Sequence, residues 1–115
     1  MDKEFVPYTE SLSLKELGFD EPCLGWYVSE SYGLEYGKVV QSDLLRDAVI
    51  APTFSQAFRW FRDKHKLSGV PTHHSFEIWD LKTEECIVEV YPISSFEEAG
   101  LDCLIKLIEI VKGGE

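Results

Sequence analysis

Apolar residues recur along this chain at two spacings, and the spacing changes several times. In EPCLGWYVSES they alternate, with Leu24, Trp26 and Val28 on one face and Cys23, Gly25 and Tyr27 on the other, which is the period of a β-strand. SFEIWD and CIVEVY alternate in the same way on either side of the polar turn LKTEE, so they read as a strand pair. YGLEYGKVV keeps only hints of period two and carries two glycines, which fits a second, edge-like strand. The run from Gln41 to Ile50 reads as a loop or a frayed turn.

Three other stretches follow the helical repeat. YTESLSLKELGF predicts a short helix, with Thr9, Ser11 or Ser13 as caps, capping-box spacing between Ser13 and Glu16, and Gly18 at the C′ position. In APTFSQAFRWFRDKH, Pro52 suits the first helical position, and Phe54, Ala57, Phe58, Phe61 and His65 share one stripe. This 52–67 helix ends near Leu67, before Ser68-Gly69, and a loop holding Pro71 follows. SSFEEAGLDCLIKLIEIVKGG gives the clearest helix, capped by Ser94 or Ser95, with Glu97 or Glu98 three residues on and Lys112 in its last turn. The order α-β-(β)-α-β-β-α predicts an α+β domain: a small antiparallel sheet of three to four strands with helices packed mainly on one face.

A length of 115 residues fits one domain spanning 1–115, large enough to fold without a metal or disulfide staple. The formal charge of −10, from 21 acidic and 11 basic side chains, opposes bulk attraction to nucleic acid or anionic membranes. Cys23, Cys86 and Cys103 form no CxxC pair and sit among apolar residues, as free thiols do in a reducing compartment. There is no secretory leader pattern and no membrane-length apolar run, so the expectation is a cytoplasmic protein.

Three blocks, LKELGFDEPC, APTFSQAFRWFRDKH and FEEAGLDCLIKLIEIVK, resemble a family of small acidic proteins from phages, prophages and mobile elements of Bacteroidetes. The resemblance covers most of the expected elements, but not 32–50 or the loop near His73. It implies the cytoplasm of a bacterial host, and it brings no activity, ligand or catalytic residue with it.

Candidate chemistry is sparse. Arg59, Arg62 and Lys66 form a row at i, i+3 and i+7 on the 52–67 helix, and like charges at that spacing need compensation. Carboxylates of this acid-rich chain are one source, and an anionic ligand is another. Trp60 lies about 100° off the apolar stripe, either packed on a neighbouring element or exposed to a partner. Arg59, Trp60, Arg62 and Lys66 are therefore the candidate interaction residues. Adjacent His73 and His74 point to opposite faces if extended, so a metal site would need one of them with His65 and a carboxylate, and no metal or cofactor is expected. Of the carboxylate pairs Asp20-Glu21, Glu84-Glu85 and Glu97-Glu98, two fit helix-start and turn roles. No GxSxG elbow, GxGxxG loop or activated cysteine context is present, which argues against an enzyme.

In the last helix Phe96, Ala99, Leu101, Cys103, Leu104, Leu107, Ile108, Ile110 and Val111 cover more than half the wheel, with Ile105 among Glu98, Asp102 and Glu109. Either this helix is central in its domain or a second chain covers part of it, as in a homodimer through the 95–112 helix. Two functions follow. The first is a non-enzymatic accessory protein that binds an unknown protein partner and modulates a host process. The alternative is a nucleotide or single-stranded nucleic-acid binder that uses the basic row, with Trp60 or exposed tyrosines stacking on a base.

Overall fold

Leu14, Gly18 and Phe19 set the end of the first helix. The structure, a computed structural model, describes residues 4–30, 33–44, 47–93 and 95–113. Helix α1 spans Tyr8–Glu16, and Gly18 follows at φ 99°, a left-handed conformation that suits a residue without Cβ. The Gly18 amide donates to the Lys15 carbonyl at 3.0 Å and the Phe19 amide to the Leu14 carbonyl at 2.9 Å. These are the two bonds of a Schellman motif, and buried Phe19 and Leu14 supply its apolar contact. The start differs from the expected caps. Pro7 is the N-cap and makes no side-chain bond, while Ser11 lies inside the helix and donates to the Val6 carbonyl at 3.0 Å. The apolar pattern conceals this because the helix begins earlier than its serines suggest.

The chain divides into two compact units, Met1–Ser55 and Gln56–Glu115. In the first, strands β1 (Cys23–Tyr27), β2 (Leu34–Val39) and β3 (Val49–Ile50) form an antiparallel sheet in the order β2-β1-β3. A 3-10 turn, Gln41–Asp43, precedes β3. Gln41 holds β3 in place: its Nε2 donates to the Ala48 carbonyl at 2.9 Å and its Oε1 accepts from the Ile50 amide at 3.1 Å. The alternation in β1 is as expected, and the inner face is the one carrying buried Cys23 and Gly25, while Leu24 on the other face is 62% exposed. The Val6 carbonyl also accepts from the Tyr27 hydroxyl at 3.0 Å, which ties β1 to the segment before α1. The Val6 amide donates to the Pro52 carbonyl at 2.9 Å, and Phe5 pairs with Thr53. That extended pairing keeps Pro52 out of the helix it was expected to begin, so helix α2 runs Phe54–Trp60.

In the second unit, α2 passes into a π-turn, Phe61–His65, and Lys66 ends it at φ 57°, ψ 38°. Strands β4 (Leu67–Pro71), β5 (Phe76–Asp80) and β6 (Glu85–Val90) form an antiparallel sheet in the order β4-β5-β6. Asp80 shapes the β5–β6 turn, its Oδ1 accepting from the Lys82 amide at 2.8 Å while its carbonyl accepts from the Glu84 amide at 2.8 Å. Helix α3, Phe96–Gly113, packs on β4 and β5. Ser95 caps it, its Oγ accepting from the Glu98 amide at 3.1 Å. Ala99, Cys103, Leu104, Leu107, Ile108 and Val111 form its buried stripe against Gly69, Phe76 and Ile78 on the inner face of the sheet.

The α+β class and the element order agree with the sequence, while the single sheet is in fact two sheets of three strands each. Two strands were hidden. β3 has two residues, inside the run read as a loop. β4 carries Gly69 and Pro71, which read as breakers, but Gly69 makes room for α3 and Pro71 sits on an edge strand where a missing donor is tolerated. Ser94, the other cap candidate, lies outside the described residues, as do Tyr32 at the start of the expected second strand and Leu45 and Arg46 in the expected loop.

Candidate functional site

The 52–67 segment does not bring its four candidate residues together. Arg59 and Arg62 are exposed, as a flank opposite a core stripe should be. Trp60 is only 5% exposed, and its ring stands edge-on to Phe61 at 5.1 Å and to His65 at 5.0 Å between centroids. The indole is a packing element, so it has no open face for a base or a partner. Lys66 leaves the row because a π-turn widens the helical repeat after Trp60, and the left-handed residue that closes it is Lys66 itself. Its carbonyl accepts from the Leu81 amide at 2.9 Å, which fixes this backbone to the β5–β6 turn. The basic row is therefore two exposed guanidiniums and one displaced lysine, without a stacking group.

The histidines separate in the same way. His65 packs on Trp60 and Phe61, whereas His73 and His74 are exposed on the β4–β5 loop, with His73 6.2 Å from the Phe96 ring. No group of three or more His, Cys, Asp or Glu side chains converges to hold a metal ion among the described residues. Cys103 is buried under β4, and burial pushes its thiol up to about 12, against the lowering effect of a hydrogen bond with the Val70 backbone. A thiol so far above neutral pH is a packing group rather than a nucleophile.

The outer face of the second sheet offers more. Register places Ser68, Trp79 and Cys86 in one cross-strand row and Val70, Glu77 and Glu89 in the next. Trp79, Val70, Cys86 and Glu89 are all exposed. The Trp79 indole donates to Glu77 Oε1 at 3.0 Å, which ties the ring to its carboxylate neighbour on the same face. Glu77 and Glu89 face one another directly across β5 and β6, a like-charge pair that costs stability. Beyond them β6 is an edge strand, with Ile87 and Val90 exposed and Tyr91 69% exposed just after it. The sequence pattern locates β5 and β6 but does not reveal their outward face. The signal was present in FEIWD, where Glu77 and Trp79 alternate with Phe76 and Ile78, but both classes contain large apolar rings, so hydropathy alone does not say which faces water.

In α3 the apolar positions divide. The buried stripe belongs to the unit's own core, Leu101, Ile105 and Ile110 are half-buried, and Phe96 is exposed. No helix among the described residues is long and apolar enough to cross a membrane. Comparison with known proteins finds no matching family model, no matching curated protein and no matching solved structure.

Proposed function

We propose that this chain is a non-enzymatic accessory protein of a phage or mobile element that acts by binding another protein and modulates a host process in the bacterial cytoplasm. The observation that carries this reading is the outer face of the β4-β5-β6 sheet, where exposed Trp79, Val70 and Cys86 alternate with Glu77 and Glu89. Exposed apolar area interleaved with charge is the composition of a recognition surface. The formal charge of −10 favours a partner of opposite sign. The resemblance of the three sequence blocks supplies the genomic setting. A homodimer through the 95–112 helix belongs to the same reading, supported by exposed Phe96 and half-buried Ile105; light scattering on an eluting peak at twice the chain mass checks it.

The test of the main reading is affinity capture from host lysate at low salt and high bait concentration, followed by calorimetry with the purified candidate. A partner that binds saturably to the wild type and loses affinity to Trp79→Ala supports the reading. Repeated capture of nothing overturns it.

A further inference from the structure

We propose that the open side of β6 accepts an extended, cationic segment of a protein partner as a fourth strand of the β4-β5-β6 sheet. The inference rests on the protein-binding reading above and names its surface and the chemistry of its partner. β6 is six residues long, pairs only with β5 among the described residues, and is exposed along most of its length. The amides and carbonyls on its open side repeat at strand spacing, and the structure that satisfies such a row is another strand. Two protections of an edge are missing, since Glu85–Val90, ECIVEV, contains neither lysine nor proline; the strand keeps a register shift opposite Ile78 and Trp79, and its charges are the carboxylates Glu85 and Glu89.

Side chains define what kind of strand fits. Val88 and Val90 lie on the α3 side of β6, paired with buried Ile78 and Phe76, so they offer apolar contact to alternate residues of an incoming strand. Glu89 lies on the other side, beside Glu77. Neither carboxylate belongs to an ion pair among the described residues. A lysine or arginine on the added strand, next to Glu89, relieves the repulsion across β5 and β6 and gains an attraction. The matching segment therefore alternates apolar and basic residues. A second copy of this chain matches poorly, since it approaches with a charge of −10 and brings its own Glu85 and Glu89 to the edge. The carboxylates that repel another copy are the groups a cationic strand pairs with.

The test uses the full chain labelled with 15N, titrated with a short synthetic peptide of alternating lysine and valine. Expected are saturable shifts and slowed amide exchange confined to Glu85–Val90 and the rows beside it. Binding should weaken about tenfold in the double variant Glu77→Gln/Glu89→Gln, and by a similar factor when salt is raised from low to physiological. The same peptide with a central proline, which removes a donor and disfavours the extended ladder, should bind about tenfold more weakly or not at all. The inference is overturned by unchanged β6 amides at millimolar peptide, by equal binding of a glutamate–valine peptide, or by shifts that map elsewhere. It is also overturned by concentration-dependent protection of β6 without peptide, which assigns the edge to a second copy. A captured protein partner that binds the double variant as well as the wild type removes the edge and leaves the wider reading intact. That wider reading fails separately when no host or phage protein binds although the peptide protects β6.

Discussion

Each of the two sheets has a glycine where another element comes closest, and the surroundings differ. A Cβ at Gly25 in β1 would lie 2.9 Å from Phe5 Cε1 and 3.2 Å from Leu34 Cδ1. A Cβ at Gly69 in β4 would lie 2.8 Å from Cys103 Sγ, 2.9 Å from Leu107 Cδ1 and 3.2 Å from Phe58 Cδ1. Phe5 is a buried ring on an isolated bridge to Thr53, edge-on to Tyr36 at 5.7 Å between centroids. Cys103 and Leu107 are one turn apart in the buried stripe of an 18-residue helix, so a Cβ at Gly69 presses on both at once. Both glycines meet side chains: two of them at Gly25, and three at Gly69, of which two come from one face of α3. A close-packed interior resists displacement most where the neighbour is regular secondary structure.

The largest expected effect comes from emptying that contact. Leu107→Ala removes a fully buried side chain facing β4 and should cost about 2–5 kcal/mol in urea melts. Leu14→Ala makes the same chemical change in the first unit, at a residue that is also fully buried, and gives the comparison its reference. A loss below about half a kcal/mol at Leu107 means that α3 presents a different face to the sheet. Overfilling is the next test. Gly69→Ala should cost about 1–3 kcal/mol, and Gly25→Ala less, because the first presses on three side chains and the second on two. The reverse order would falsify the contrast between the two glycines.

Much of this fold was legible because the hydrophobic period and the capping chemistry agree. Gly18 after α1 and a serine cap at 94 or 95 before α3 follow from spacing, whereas the wheel of α3 gives nine apolar positions and only packing selects 99, 103, 104, 107, 108 and 111 as the buried ones. β4 was not legible, because Gly69 and Pro71 signal a break unless one knows that α3 needs the space and that the strand is an edge. Lys66 departs from the candidate row for a related reason. A wheel drawn for a uniform α-helix places Lys66 beside Arg59 and Arg62, and the π-turn at Phe61–His65 is not encoded in hydropathy. Trp60 could be assigned to neither face by angle, and packing against Phe61 and His65 decides it. The outer face of the second sheet escaped notice because period two locates a strand without saying which of two apolar sets is covered.

Cysteines sharpen the inner–outer contrast within the second sheet. Cys103 lies under the sheet and Cys86 lies on its outer face. Burial raises the Cys103 thiol from 9.0 to about 12, so the folded state holds a proton that the unfolded state releases above pH 9. Between those values the unfolded chain binds fewer protons, and stability falls as pH rises. The slope from this group should approach about 1.4 kcal/mol per pH unit. The stability it contributes is fully present below pH 9. Cys103→Ala should lose that part of the alkaline slope in urea melts between pH 9 and 11, apart from its constant cavity cost. In native protein at neutral pH a thiol reagent should modify Cys86 at once and Cys103 only on unfolding. Rapid native modification of Cys103 places it outside the core.

The smallest effect is expected on the exposed flank of α2, where the sequence suggested a site. Arg62 is exposed in the π-turn, near the helix end where a cation meets the carbonyl dipoles, and its charge is screened by water and salt. Arg62→Ala should therefore change stability by about 0.5 kcal/mol or less. Phe61→Ala, one residue earlier and fully buried, should cost about 3–5 kcal/mol. The two residues share a turn and face opposite ways, one an apolar ring into the core and the other a cation toward solvent. If Arg62→Ala proves as damaging as Phe61→Ala, the guanidinium is holding structure and the outward flank is misplaced. A further measurement tests the nucleic-acid alternative at the same place. In a Trp26→Phe/Trp79→Phe variant, which keeps Trp60 alone of the three tryptophans, titrating a mixed single strand at low salt should leave the fluorescence unchanged, because the Trp60 ring is already engaged by Phe61 and His65. A salt-sensitive response that disappears in Arg62→Ala would return the basic flank to the status of a ligand site and require the indole to open.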